Sequence, residues 1–319
     1  EVLKNKETVF EETIFLASDD ERKERKNKLK QALYRGLSKE TKKVLPWGDL
    51  TGIRPTKIAM GLIESGMSNV ETAEFMRNTY YTSNEKTALA ITIANRERAL
   101  LADIDYKNGY SLYVGIPFCP SICLYCSFSS YPLAKWRNKV DAYLDALCKE
   151  LTYIGETMKV RTLDTIYIGG GTPTTLEPEQ LERLLSHIEC CFPTREVKEY
   201  TIEAGRPDSI TREKLEVIRK YPVTRISVNP QTMNQATLDL IGRRHTVEDT
   251  RHAFALAREC GFDNINMDLI VGLPGECAKD VQKTLEEVKK MEPDSLTVHS
   301  LAIKRATRLH LFQDRYQEM

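Results

Sequence analysis

Three cysteines crowd into eight residues, as Cys119-x-x-x-Cys123-x-x-Cys126, with Pro117 and Pro120 on either side of the first. Thiolates are soft ligands that bind iron–sulfur clusters or zinc. A structural zinc site takes four protein ligands, usually as two separated pairs. Here three stand in one loop. The next histidine along the chain, His187, falls far downstream in a helical pattern. Three cysteines on a [4Fe–4S] cube leave one iron open to an outside ligand. The bland alternatives are a disulfide or scattered buried thiols. Eight cysteines in 319 residues are too sparse for a disulfide scaffold, and the dense triplet reads as a metal site in a reducing compartment. The two prolines stiffen the backbone around Cys119.

The second chemical signal is Gly169-Gly170-Gly171-Thr172-Pro173-Thr174 at the end of an apolar run. Glycine lets a backbone approach a ligand closely and adopt positive φ. Alone this is a common turn after a strand. One strand downstream of the cysteines, it becomes a candidate for holding the amino-acid end of a cofactor. Asp268 closes another apolar strand. A buried lone carboxylate is costly, so it must find a partner, and Arg243 is a candidate.

The elements that position these residues follow from periodicity. From residue 110 onward short strands alternate with amphipathic helices. Strands are expected at 111–118, 164–168, 197–203, 223–228, 264–271 and 295–301. Helices are expected over 140–154, 178–191, 211–220, 234–241, 246–260 and 278–290. Such alternation implies a parallel sheet. Six units are too few for a closed eight-stranded barrel but fit a partial, three-quarter (β/α)6 TIM-like barrel, with chemistry at the C-terminal ends of the strands. Residues 1–108 differ. Beyond a strand signal at 9–16 they read as a mainly helical extension, with helices over 21–37, 56–66 and 84–104 and a Pro- and Gly-rich break from Leu45 to Pro55. The turn Lys107-Asn108-Gly109 marks the expected boundary, giving domains 1–108 and 109–319.

Composition closes off other classes. Hydrophobic residues make up 41% and charged residues 29%, ordinary for a globular chain. Lys plus Arg and Asp plus Glu are both 46, so the basic excess of a nucleic-acid binder is missing. No run of roughly 18 apolar residues suggests a transmembrane helix. With the reducing context of the cysteines, these features point to a cytoplasmic protein. Cys148, Cys190, Cys191 and Cys260 read as small buried hydrophobes. His245 reads as either a substrate contact or a helix cap, and His299 as a side chain pointing into the barrel. Lys304, Arg305 and Arg308 read as a solvated helix start, with cationic partners for an anionic substrate as the alternative.

The segment Tyr113-Val114-Gly115-Ile116-Pro117-Phe118-Cys119, with Cys123 and Cys126, resembles the radical S-adenosylmethionine superfamily, and within it the oxygen-independent coproporphyrinogen III oxidase group. The glycine segment, Glu203, the stretch from Arg225-Ile226-Ser227 to Gln231, Ile241-Gly242-Arg243 and the run Asn266 to Gly275 agree. Leu45-Pro46-Trp47-Gly48, Leu50 to Pro55 and Asn229-Pro230-Gln231 resemble the HemZ-type branch, usually described as coproporphyrinogen dehydrogenase.

The resemblance implies that Cys119, Cys123 and Cys126 hold a [4Fe–4S] cluster and that S-adenosylmethionine chelates its open iron. It implies that Gly170, Gly171 and Thr172 face the methionyl part, and that Glu203, Gln231, Arg243 and Asp268 surround the methionyl and ribose groups. Ile270 would lie near the adenine, and Tyr113 and Tyr125 would flank the cluster loop. The implied activity is oxidative decarboxylation of coproporphyrinogen III propionates to vinyl groups, giving protoporphyrinogen IX, with a low-potential electron donor as partner. Two positions depart from the oxidase pattern: Gly115 stands where it has His, and Phe128 where it has a fourth cysteine. The haem-chaperone branch also lacks that cysteine, so a haem carrier remains an alternative, as does another radical reaction on a tetrapyrrole. The family's C-terminal region covering the substrate face is expected to be missing after Met319, and the amino end shortened.

Overall fold

The computed structural model describes residues 2–4, 7–19, 21–51, 54–105 and 108–312. Gly52, Ile53 and Lys107, used above for the loop and the boundary turn, lie outside them. The chain divides into two compact units between Ile104 and Asp105.

The first unit opens with an antiparallel pair, β1 (Val2–Lys4) and β2 (Glu7–Phe10). The strand signal at 9–16 was therefore placed too late. Four helices follow: α1 (Arg22–Thr41), α2 (Thr56–Glu64), α3 (Asn69–Tyr80) and α4 (Asn84–Leu101). Their core is small: Ala59, Ile63, Met76, Ala90 and Ala94. Helix α3 was not expected. Its apolar stripe is weak, but Ser68 and Glu71 form a capping box that satisfies otherwise orphaned amides at its start. Between α1 and α2, Gly48 has φ +59°, and a Cβ there would meet the Tyr80 carbonyl oxygen at 1.9 Å. Only glycine fits that turn.

The second unit carries the alternating pattern. Strand β3 (Tyr110–Ile116) leads into a short parallel pair, β4 (Phe118–Cys119) with β5 (Tyr131–Pro132), then α5 (Leu133–Trp136) and α6 (Val140–Thr157). After these come β6 (Leu163–Gly170), α7 (Pro178–Cys191), β7 (Glu199–Glu203), α8 (Arg212–Arg219) and β8 (Arg225–Ser227). The last elements are α9 (Gln235–Leu240), α10 (Val247–Glu259), β9 (Ile265–Val271), α11 (Ala278–Met291) and β10 (Ser295–Ser300).

Six strands form one parallel sheet in the order β3-β6-β7-β8-β9-β10. Each strand lies beside its predecessor and the order never reverses. A doubly wound sheet reverses at a switch point; a barrel wall does not. Strands β3 and β10 do not pair, so the wall is a partial barrel.

Side chains alternate across this wall. One face carries Leu112, Val114, Ile166, Ile168, Ile202, Ile226, Ile265, Met267 and Leu269, all in the main core with the buried stripes of α6, α7, α8 and α10. Burying each such side chain contributes roughly 1.5–3 kcal/mol. The other face is polar and aromatic. The register aligns Tyr113 with Tyr167, Glu203 with Ser227, and Ser227 with Asn266. This inner face, at its C-terminal end, holds the site.

The four cysteines expected as small buried hydrophobes are less buried than that. Cys148, Cys191 and Cys260 are half-buried and Cys190 is exposed, because each lies toward the solvent side of its helix or at its end. Among the described residues no helix is long and apolar enough to cross a membrane.

Candidate active site

The cluster loop leaves β3 at Pro117 and is anchored on several sides. Ser121 Oγ donates to the Gly242 carbonyl at 2.8 Å. The Leu124 amide donates to Ile241 at 2.9 Å, and the Leu309 amide to Leu124 at 2.9 Å. The glycine segment is locked to the same loop. The Gly171 amide donates to Ile116 at 2.7 Å and the Thr172 amide to Phe118 at 2.8 Å. Gly170 has φ +105°. A Cβ on Gly171 would meet the Phe118 carbonyl at 2.6 Å and Cys119 Sγ at 2.9 Å, so the close approach requires glycine. Thr172 Oγ1 completes the junction by donating to Cys119 Sγ at 3.5 Å.

One cavity of about 120 Å³ is lined by Cys119, Cys123, Cys126, Tyr125, Gly170, Gly171, Thr172, Glu203, Gln231, Arg243 and Asp268. The structure therefore brings eleven of the thirteen expected site residues to one place. A neighbouring cavity of about 280 Å³ shares Tyr125, Cys126, Gln231 and Asp268, and adds Ile270, His299 and Lys304. Tyr113 borders neither cavity. It lies on the inner face of β3, 62% exposed, with its ring stacked on Tyr167 at 5.7 Å. Tyr167 in turn donates to the Glu203 carboxylate.

The electrostatics follow from burial. Desolvation pushes the Cys119 and Cys126 thiols up, so they remain neutral until a metal displaces the proton. Burial also raises Glu203, with Asp268 adding to the shift and the Tyr167 bond opposing it. Tyr167 is pushed well above its ordinary value by burial and by Glu203, which keeps it a donor. Burial is the main cause that lowers His245 to about 4, with Arg243 and Arg206 adding to it.

Arg243, the candidate partner for Asp268, does not pair with it. Asp268 accepts instead from Asn266 Nδ2 at 2.7 Å, two residues along its own strand. Arg243 donates to the carbonyls of Asn229 and Gly205 and faces the Tyr125 hydroxyl and the Cys123 thiol. His245 neither lines the cavities nor caps a helix; it is buried with neither ring nitrogen hydrogen-bonded, its Nδ1 4.0 Å from Asp208 Oδ1. His299 does face the larger cavity.

Three residues to which the sequence assigned no site role join the site. Arg206, 3% exposed, forms a two-pronged pair with Asp208 at 3.0 and 2.9 Å. Its other nitrogen reaches Ser121 Oγ at 3.1 Å and Cys123 Sγ at 3.7 Å. Ser121 and Asn229 also line the cavity. Arg206 sits in Gly205-Arg206-Pro207 just after β7, which carries no periodicity or ligand spacing.

These residues fit an iron–sulfur cluster with an organic ligand. No three His, Cys, Asp or Glu side chains among the described residues converge tightly enough for a single metal ion. A cube spreads its cysteine ligands over different irons, so it accepts the wider spacing that a lone zinc rejects. Asn229 Oδ1, Gln231 Oε1 and Arg243 Nε belong to lining residues, yet are buried without a partner. Such groups each cost about 1–3 kcal/mol and fit a site whose polar ligand completes them. Gln231 has φ +69°, strained for a residue with a side chain, and is clamped to β9 by backbone bonds with Asp268 and Ile270.

A partial barrel wall with a three-cysteine loop at the C-terminal end of its first strand, facing a polar, partly unsatisfied cavity, defines a class. The sequence profile of the radical SAM superfamily matches residues 113–288, and the chain belongs to that superfamily, whose members use a [4Fe–4S] cluster and S-adenosylmethionine. The chain is 42% identical over 299 residues to the oxygen-independent coproporphyrinogen-III oxidase-like protein HemZ of Bacillus subtilis, covering 92% of this chain and 60% of that protein. It is 37% identical over 211 residues to the heme chaperone HemW of the same organism, covering 63% of this chain and 55% of HemW. The coproporphyrinogen III oxidase HemN of Escherichia coli superposes with a TM-score of 0.56 at 30% identity, covering 70% of this chain and 55% of HemN. The chain thus spans 55–60% of the length of these relatives.

Proposed function

We propose that this chain is the catalytic core of an enzyme that oxidatively decarboxylates coproporphyrinogen III propionates to vinyl groups, giving protoporphyrinogen IX. The observation that carries this is the cavity pair. The three cysteines and the unsatisfied polar residues share one cavity, and it continues into a larger one that Lys304 and His299 border. A propionate has room and a cation there.

When bound, the cluster and S-adenosylmethionine supply a hydrogen-abstracting carbon radical, which is the cofactor's chemistry. The chain binds and orients. Cys119, Cys123 and Cys126 would hold three irons. Gly170, Gly171 and Thr172 would lie along the methionyl part, with Glu203 offering an acceptor to its ammonium and Arg243 a donor to its carboxylate. Gln231 and Asp268 would take the ribose side, and Ile270 the adenine. Tyr167 holds Glu203 as a fixed acceptor. Each vinyl group formed releases carbon dioxide and leaves one electron for an acceptor.

A haem carrier is the second reading. It is favoured by the likeness to the heme chaperone HemW and by Phe128, exposed on the cavity rim where the oxidase pattern has a cysteine. The test is turnover of anaerobically reconstituted protein with coproporphyrinogen III, S-adenosylmethionine, reductant and electron acceptor. Protoporphyrin formed with matching 5′-deoxyadenosine is expected. Stoichiometric haem binding without porphyrinogen turnover would select the carrier instead.

A further inference from the structure

The cluster loop has two sides. One faces the cavities just described. The other faces outward, onto an open groove bordered by Ser121, Ile122, Lys135, Asp239, Arg244 and Arg308. Lys135, Arg244 and Arg308 are exposed, and none is taken up in an ion pair among the described residues. They come from three separate elements, each tied to the cluster loop. Lys135 is in α5, which follows β5, the partner of β4 at Phe118 and Cys119. Arg244 follows the Ile241–Gly242 turn that accepts from Leu124 and Ser121. Arg308 precedes Leu309, whose amide donates to Leu124. Asp239 is the opposing charge on the groove. In a chain of net charge zero this is a local cationic excess. Beside it Tyr131 and Trp136 are 44% and 41% exposed, with rings 5.0 Å apart. Aromatic residues and arginine are both enriched at protein interfaces. Arg308 had been grouped with Lys304, but the structure separates them: Lys304 borders the inner cavity, Arg308 the outer groove.

We propose that this outer rim is the docking surface for a small acidic electron-transfer protein that reduces the cluster. The proposal rests on the reading of the site above. One electron leaves the carrier and one enters the cluster; no bond forms or breaks. Tunnelling falls steeply with distance, so the carrier has to seat against the cluster loop. The inner side is where substrate lies. The outer side presents Ser121 and Ile122, which lie between Cys119 and Cys123 in the loop, and a charge that steers an anionic partner.

The test is stopped-flow reduction of the anaerobically reconstituted chain by the hydroquinone of a purified acidic flavodoxin, across ionic strength. The variants are K135E/R244E/R308E, its neutral counterpart K135Q/R244Q/R308Q, and D239N. Photoreduction with 5-deazariboflavin, which needs no docking, is the control. The rate for the unaltered chain should fall steeply with salt. Charge reversal should slow it about tenfold or more at low salt and flatten the salt dependence, neutralisation should do so less, and D239N should speed it. Photoreduction should be the same in all. Flavodoxin rates that are unchanged in the reversal variant overturn the docking surface alone. Absence of a reducible cluster even under photoreduction overturns the site reading and this surface with it. Loss of binding to phosphatidylglycerol vesicles, with flavodoxin rates intact, reassigns the rim to a membrane surface.

Discussion

The two faces of the barrel wall obey opposite rules. The outer face, under α6, α7, α8 and α10, is apolar and closely packed, from Leu112 to Leu269. The inner face and its loops are polar and incompletely satisfied. Of the ten buried side-chain polar atoms without a hydrogen-bond partner among the described residues, three belong to Asn229, Gln231 and Arg243, which line the cavity, and two to His245, which does not. Stability is concentrated where chemistry is absent, and the site carries strain and missing hydrogen bonds that only a ligand completes. Substitutions on the two faces should therefore separate stability from binding.

The largest expected effect is on the site. Cys126→Ser should abolish stable cluster assembly, read as iron and sulfide per chain, while the fold survives by circular dichroism. On the outer face, Leu184→Ala should cost about 2–5 kcal/mol in urea denaturation. The affinity of the folded fraction for S-adenosylmethionine should not change. His245 sharpens the comparison through pH. Its folded value, about 4, lies below the ordinary 6.5, so the unfolded chain takes up the proton first. Stability should fall as pH drops from about 6.5 toward 4, by about 3 kcal/mol at most. His245→Asn should flatten that slope, and an unchanged slope would remove His245 as its cause. Gln231→Leu should separate binding from stability outright: cofactor affinity falls about tenfold or more while stability holds or rises by about 1 kcal/mol. A loss of several kcal/mol would mean that Gln231 is structural. The smallest effect should come from Tyr167→Phe, which removes one hydrogen bond to Glu203. The Kd for S-adenosylmethionine should rise a few-fold, about 1 kcal/mol.

The two faces also differed in how well the sequence announced them. The helix-covered face was legible because period 2 meets period 3.6 there: α7 runs over 178–191 and β9 over 265–271, both within a residue of expectation. The cysteine loop and the glycine segment were legible from spacing. Helix α3 was not, because a capping box and three buried residues, Thr72, Met76 and Tyr80, hold it rather than a strong apolar stripe. Arg206 was invisible because its meaning depends on Ser121 and Cys123, brought near only by the fold. That Arg243 is not the partner of Asp268 was equally illegible, because Asn266, two residues away on the same strand, bonds Asp268 instead. Pair chemistry between distant loops is a property of the fold, not of local pattern.

The most direct test of the account is electron paramagnetic resonance of the anaerobically reconstituted, reduced chain before and after S-adenosylmethionine is added, alongside iron and sulfide analysis. About four irons and four sulfides per chain, with a signal that changes when the cofactor is added, is the expected result. A two-iron or zinc centre, or a four-iron signal indifferent to S-adenosylmethionine, would contradict it.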